Sequence, residues 1–230
     1  MTKTEIIKGK VKTVFATSEP DKVLIQYEDK VTAGNGKKEL IVEDKGRICC
    51  EISALIFKKL EEEGIDTHYL DTFPVSIMSC KKVDIIPLEV IVRNISAGSI
   101  CRQTTIPEGK LLMSPLVEFH LKDDSKNDPL LTYDRMKLMG YDAEEFIGTA
   151  LEINRHLIKI FYNIGFDLVD FKIEFGDDSE GNLLLADEIS PDSCRLWKTG
   201  TKENFDKDLF RNDNGDIISA YTHILNELRR

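Results

Sequence analysis

The stretch from Leu168 to Arg195, L-V-D-F-K-I-E-F-G-D-D-S-E-G-N-L-L-L-A-D-E-I-S-P-D-S-C-R, constrains this chain more than any other. It reads as a β-hairpin. By the period-two rule, Val169, Phe171, Ile173 and Phe175 share one face, and Asp170, Lys172 and Glu174 share the other. The returning strand, about Leu183 to Ile189, brings Asp187 and Glu188. With a turn centred near Glu180-Gly181, Glu174 and Asp187 face one another to within a residue. Two facing carboxylates repel, so a cation belongs between them. Two accounts stay open on this segment alone. One is Mg²⁺ carrying nucleotide phosphates, which needs only one or two carboxylates. The other is a solvated strand face with Lys172 as the counter-ion.

A chain of 230 residues can form one large domain or two small lobes. Its 31 basic against 41 acidic residues give a net charge of −10, which disfavours a nucleic-acid partner. No apolar run approaches the ~20 residues of a membrane span. The opening M-T-K-T-E-I-I-K has no signal-peptide core. Cys49, Cys50, Cys80, Cys101 and Cys194 show neither C-x-x-C spacing nor a histidine pattern, so reduced thiols in a cytoplasm are the simplest account. Cys49-Cys50 reads as a buried small-residue pair, with a reactive thiol near a helix start as the alternative.

Residues 5–16 and 23–29 read as strands, and Gly34 and Gly36 mark a loop. Ile48, Ile52, Leu55, Ile56 and Leu60 recur at helical spacing and predict a helix over 46–63, ended by Gly64. Strands are expected around 67–71, 75–84 and 87–95, with Pro87 as a break between an N-terminal lobe and the rest. Five glycines and prolines between 97 and 130 predict loops. A long helix over 142–163 would bury Phe146, Ile147, Ala150, Leu151, Leu157, Ile158 and Phe161. After the charged hairpin come a polar connection over 196–214 and a last helix over 215–229. Strands and helices mix without βαβ alternation, so the fold class is α+β.

Four clusters carry potential chemistry. In Lys8-Gly9-Lys10-Val11-Lys12, Gly9 permits a tight turn, and Lys10 and Lys12 share a face from which both can reach a polyphosphate. Taken alone, a solvent-facing lysine pair explains it more simply. Arg93-Asn94 with Ala97-Gly98-Ser99 offers a guanidinium fork, a hydroxyl and a small nest of amides to a phosphate or carboxylate. Equally, Arg93 could pair with Glu89 beside a glycine that merely turns the chain. Lys122-Asp123-Asp124 with Asp128-Pro129 reads by default as solvated turns. Asp187 to Asp192, followed by Arg195, adds a second guanidinium and an acceptor for substrate hydroxyls, while Trp197 reads as a packing residue. His68, His120, His156 and His223 are scattered, and no nucleophile elbow appears. An enzyme built this way works by positioning, metal and electrostatics, which suits phosphoryl transfer.

Together these segments resemble the SAICAR synthetase family, the phosphoribosylaminoimidazole-succinocarboxamide synthases of de novo purine synthesis. The matching stretches are G-K-V-K-T-V-F from Gly9, T-A-G-N-G from Thr32, V-D-I-I-P-L-E-V-I-V-R-N from Val83, Ala97-Gly98-Ser99, L-V-D-F-K-I-E-F-G from Leu168, and A-D-E-I-S-P-D through Arg195-Leu196-Trp197. Asp206-Lys207-Asp208 and Phe210-Arg211 continue the pattern, so the likeness spans essentially the whole chain.

The resemblance implies a ligase that joins the carboxylate of carboxyaminoimidazole ribonucleotide (CAIR) to the amine of L-aspartate. It would use Mg-ATP, release ADP and phosphate, and pass through an acyl phosphate. It implies two lobes with antiparallel sheets flanked by helices, related to ATP-grasp and kinase-like nucleotide sites. Residues 1–86 would cover the nucleotide phosphates, and residues 87–230 would form an ATP-grasp-like lobe with the metal and substrate site. A homo-oligomer, commonly a dimer, goes with it. By the same resemblance Lys10 and Lys12 hold ATP phosphates, and the segment Lys81 to Ile86, with Lys81 and Ile85, passes the adenine. Glu174 and Asp187 hold Mg²⁺ and, with Lys172, form the catalytic set. Arg93, Ser99 and Arg195 grip the CAIR phosphate. Asp170, Lys172 and Asp192 line the substrate pocket, and Lys122 and Asp128 lie near the reacting groups.

The chain departs from the family where Cys49-Cys50 replaces two asparagines at the first helix and where Cys101-Arg102-Gln103-Thr104-Thr105 replaces a basic-leucine sequence. Some members carry an acid at the place of Asn35, so no metal role is assigned there. Two other classes would use parts of the same set: a small-molecule kinase, which lacks the paired substrate arginines, and a silent nucleotide-binding protein, which need not retain every lysine and carboxylate.

Overall fold

The computed structural model describes residues 4–34 and 36–230; Asn35 lies outside them. The first half contains β1 (Thr4–Lys8), β2 (Lys12–Ala16), β3 (Lys22–Tyr27), β4 (Lys30–Ala33), β5 (Lys38–Ile41), α1 (Lys45–Glu62), β6 (Tyr69–Phe73), β7 (Ile77–Lys81), β8 (Asp84–Ile85) and β9 (Leu88–Ile95). There follow α2 (Ser99–Gln103), β10 (Leu111–Leu121), a 3₁₀ turn at Asp124–Lys126, β11 (Leu130–Leu131), α3 (Tyr133–Leu138) and α4 (Ala143–Asn163). The chain ends with β12 (Phe166–Asp177), β13 (Leu183–Ala186), β14 (Cys194–Lys198), α5 (Asp208–Arg211) and α6 (Ile217–Leu228).

Two antiparallel sheets organise these elements. A five-stranded sheet in the order β1-β2-β3-β7-β6 draws only on residues up to Lys81. A seven-stranded sheet runs β11-β10-β9-β12-β13, with β14 and β8 also pairing to β12. β12 is therefore the spine, bonded to β9, β13, β14 and β8 along its length. The mixed α+β class with antiparallel sheets is as the sequence predicts.

Helix α1 packs its periodic face, Ile48, Ile52, Ile56, Phe57 and Leu60, against the first sheet and against α6. α4 is capped by Asp142, whose side chain accepts the Glu144 N–H, and lies across β12, β9 and β10. Ile158 is exposed and leaves the predicted apolar stripe, while Ile153 and Asn154 join the buried face; Asn154 and Asn94 exchange side-chain hydrogen bonds of 2.8 and 2.9 Å.

Several expectations are corrected. The strand over 5–16 is two strands, because Gly9 closes a tight turn by donating its N–H to Lys12 O at 2.8 Å. Gly34 and Gly36 lie outside the strands, as a loop requires, and the strands on either side, β4 and β5, pair as a hairpin. The loops expected between 97 and 130 contain β10, an eleven-residue strand central to the second sheet. Pro115 reads as a breaker, yet it falls where the register with β9 shifts between Leu111 and Leu116, a bulge that tolerates proline. The polar connection over 196–214 begins inside β14 and holds α5. The returning strand of the charged hairpin stops at Ala186 rather than Ile189. Finally, β12 shifts register against β14 between Leu168 and Asp170. That irregularity sends Val169 to the opposite side, where it packs with Ala97 and Trp197, while Leu168 joins Phe171, Ile173 and Phe175 in the main core.

Candidate active site

Two ionic clusters sit along β12, one near each end of the alternation Asp170, Lys172, Glu174. Glu174 pairs with Ala186 across the hairpin, one residue from the expected register. Asp187 follows immediately with a left-handed φ of 62°, which turns its side chain back toward β12. The two carboxylates meet on a common cation: Lys172 Nζ lies 2.8 Å from Glu174 and 3.6 Å from Asp187. It also lies 3.1 Å from Glu89. Lys12 bonds Asp187 and lies 2.9 Å from Glu188. Lys122 reaches Glu174 from the end of β10.

The charged face is thus not solvated. Glu174 is only 2% exposed and Glu188 5%. Lys172 does serve as counter-ion, but inside a closed network. Burial works against the charges here and the neighbours outweigh it. Desolvation opposes the ammonium of Lys12, yet Asp187 and Glu188 raise its pKa. Desolvation opposes the carboxylate of Asp187, yet Lys12 and Lys172 hold it well below the usual range. Lys172 is likewise raised by Asp187, Glu174 and Glu89 against its burial. Lys12, Asp187 and Lys172 are therefore charged at neutral pH.

Among the described residues, no group of three or more His, Cys, Asp or Glu side chains forms a metal cage. The fit to Mg²⁺ rests on something else. Glu174 and Asp187 already aim carboxylate oxygens at one cationic position, and an all-oxygen pair of this kind, completed by phosphate oxygens and water, suits a hard cation.

The second cluster surrounds Asp170. Arg93 donates to Asp170 at 3.1 Å, to Ser99 Oγ at 2.7 Å and to Glu118 at 2.6 Å. Glu89, the alternative partner for Arg93, is instead taken by Lys172: the register sets Arg93 against Asp170 and Ile91 against Lys172, so Glu89 lies four residues along β9 from Arg93. Arg195 donates to Asp170 and to Asp208, each at 2.6 Å. Burial pushes the Asp170 carboxyl up, and the two guanidiniums beside it oppose that. Gly98 has φ 66°, and a Cβ there would lie 2.7 Å from an Arg195 nitrogen, so glycine is required on both backbone and contact grounds. Arg93, Ser99 and Arg195 are therefore brought together beside Asp170.

The remaining predicted residues lie as follows. Lys10 sits in the turn before β2, bonded to Asp124 at 2.7 Å, so the two lysines of the first cluster diverge to different acids. Lys12 is not solvent-facing. Asp128 accepts the Asp123 N–H at 2.9 Å and bonds His120 through its carbonyl, organising the turn that presents Lys122. Lys81 ends β7, and Ile85, half-exposed on β8, pairs with Gly176 of β12. Asp192 belongs to a third, buried group: it bonds Lys45, and accepts from Tyr221 Oη at 2.8 Å. Cys49 and Cys50 are buried; burial pushes Cys50 up to about 12. Sequence reading missed Lys45, Tyr221, Glu118 and Asp208 as partners, and offered Glu89 to Arg93 rather than to Lys172. Only pairing across sheets and between α1 and α6 brings them in; Asp208 alone had a signal, in its acidic D-K-D setting.

The family model described as SAICAR synthetase matches residues 5–228. The chain belongs to the SAICAR synthetase family. It is 49% identical to a phosphoribosylaminoimidazole-succinocarboxamide synthase of Prochlorococcus marinus, over 95% of this chain and 94% of that protein. The crystal structure of the synthase from Ehrlichia chaffeensis superposes with a TM-score of 0.95 at 38% identity, covering 98% of both chains. A SAICAR synthetase in complex with ADP superposes with a TM-score of 0.93 at 39% identity, covering 96% of both. The protein is thus an enzyme of this family, an ATP-dependent ligase of purine biosynthesis acting on CAIR and L-aspartate. Among the described residues, no helix is long and apolar enough to cross a membrane.

Proposed function

We propose that the ligation runs through an acyl phosphate of CAIR, made between the two clusters of β12. A carboxylate is a poor acyl donor to an amine, because it has no good leaving group. Moving the γ-phosphoryl group of ATP onto it creates a leaving group, and the aspartate amine then displaces phosphate. Arg93, Ser99 and Arg195 take the CAIR phosphate, with Asp170 as the counter-ion that holds both guanidiniums apart and aligned. Lys12 and Lys10 take ATP phosphates, and Lys81 and Ile85 border the adenine. Lys172 and Lys122 stand beside the transferring group, and Asp128 holds the Lys122 turn in place. Asp192 supports the substrate side through Lys45 and Tyr221. Glu174 and Asp187 would hold Mg²⁺, which when bound neutralises charge developing on the phosphate oxygens.

The observation that carries this reading is the spacing on one strand. Asp170 and Glu174 are four residues apart on β12, about 13 Å at strand rise. That separation lets one substrate bind its phosphate at the arginines and present its carboxylate at the acid–lysine cluster. The ADP complex of the family member supports placing nucleotide in the same fold. The division into residues 1–86 and 87–230, a homodimer and a cytoplasmic location belong to the same proposal, the first supported by a five-stranded sheet that stops at Lys81.

The test is ADP release from Mg-ATP with CAIR and L-aspartate, each omitted in turn. Product formed only with all three, and ADP released slowly with CAIR but without aspartate, support the acyl phosphate. Positional isotope exchange in ATP that requires aspartate would overturn it.

A further inference from the structure

Asp206 is fully buried, and the chemistry described above does not use it. Its two carboxylate oxygens each accept one main-chain N–H: Leu196 at 2.8 Å and Asp208 at 2.7 Å. Both partners matter to one side chain. Leu196 directly follows Arg195 on β14. Asp208 grips Arg195 Nε at 2.6 Å and is itself held by Arg211 at 2.6 Å. The segment 203–206 runs beside β14, with Lys198 N bonding Glu203 O and Phe205 N bonding Leu196 O, each at 2.9 Å. At the next step the ladder would need a backbone acceptor for Leu196 N–H, and the Asp206 carboxylate takes that place.

We infer that Asp206 is a positioning residue for the substrate-phosphate arginine: it ties the backbone beneath Arg195 to the residue that clamps Arg195 Nε. The two N–H bonds and the Arg195 charge favour the ionised form, but they are outweighed. Burial and the adjacent Asp208 push its pKa up to about 7, so keeping it charged at neutral pH is costly. What it supplies is geometry. Arg195 has Asp170 on one nitrogen, Asp208 on Nε and the Gly98 backbone pressed against its outer face. A guanidinium boxed on three sides presents one orientation to a phosphate, and Asp206 fixes one of those walls, Asp208, relative to the backbone that carries Arg195. The preorganised fork then loses less freedom on binding.

The inference rests on Arg195 taking the CAIR phosphate, and the experiment separates the two. Asp206→Asn keeps the shape but presents an amide donor to one of the two N–H groups. In the full-length enzyme, KM for CAIR should rise about tenfold, with kcat and the KM for ATP within about twofold of wild type. Asp208→Asn should give the same selective defect, and the double variant should be no worse than the poorer single one, because both act through Arg195. A merely structural role would lower thermal stability and leave the three KM values in proportion. A folded Asp206→Asn with an unchanged KM for CAIR overturns the inference. If that variant does not fold, an unchanged KM in Asp208→Asn overturns it instead. Arg195→Ala with an unaltered KM for CAIR would remove the reading of Arg195 itself, and this inference with it.

Discussion

Lys172 Nζ stands between Glu174 and Asp187, 2.8 Å from one and 3.6 Å from the other. Its ammonium is the cation the two facing acids share, beside Lys12 on Asp187 and Lys122 on Glu174. Lys172→Met removes the shared cation from a buried Glu174 and a partly buried Asp187. Breaking such a network costs about 3 kcal/mol, so the melting temperature should fall clearly and turnover should drop with it. Thermal unfolding together with steady-state rates checks this. A variant as stable as wild type would mean the acids have other counter-ions enough.

Asp187→Asn tests the metal role. The amide keeps the shape and loses the charge, so a cation held by Glu174 and Asp187 loses half its carboxylate set. Turnover should fall about 100-fold or more while ADP still binds, with the dependence on free Mg²⁺ shifted to higher concentration. Near-wild-type turnover at the same Mg²⁺ would put the metal elsewhere.

Gly98→Ala introduces a methyl where φ is 66° and where Arg195 lies 2.7 Å from the new atom. The backbone strain costs roughly 1–2 kcal/mol, and the guanidinium must shift. The expected result is a KM for CAIR raised about tenfold with the KM for ATP unchanged. Isothermal titration with CAIR alone gives the same answer without turnover.

Asp192 supplies a pH signature. Burial opposes its charge, but Lys45, Lys207 and the Tyr221 hydroxyl outweigh it and lower its pKa to about 2. A carboxyl depressed in the folded state contributes stability above its unfolded value, near 4, and that contribution fades as pH falls through about 2. The depression is worth about 2 kcal/mol. The difference in unfolding free energy between wild type and Asp192→Asn should therefore be full at pH 6 and shrink below pH 4. Denaturant titrations at pH 6, 4 and 2.5 measure it, and a pH-independent difference would contradict the ion pair.

The thiols give a simple count. Cys49, Cys50, Cys80 and Cys194 are buried, and Cys101 alone is partly exposed. Burial also raises Cys50 to about 12, so it carries little thiolate at neutral pH. A thiol reagent should titrate one cysteine per native chain rapidly and the other four only after denaturation. Fast reaction of two or more would contradict the burial of Cys49, Cys50, Cys80 and Cys194.

Local pattern made much of the molecule legible. The 3.6-residue recurrence in α1, α4 and α6 marked those helices to within about two residues. The charged hairpin was visible because its residues alternate along one strand and its turn is short, so register follows from counting. Arg93, Ser99 and Arg195 were named for one ligand before any fold was known, and they do converge. What misled was punctuation: Pro115 looked like a loop signal and is a bulge in a long strand, and the irregularity at Val169 reverses a parity that counting cannot see.

By itself, then, the order of residues determined the helices and the hairpin, because helix and strand periods are short-range properties of the chain; the acids, lysines and arginines expected at a phosphate-handling site came from the family resemblance. Tertiary structure alone decided who partners whom. Lys12 and Asp187 are 175 residues apart, Lys45 and Asp192 147, and Arg93 and Asp170 77. Such pairs form only when β12 gathers four other strands around it and α1 packs on α6, and electrostatics between them depends on the burial that this packing creates.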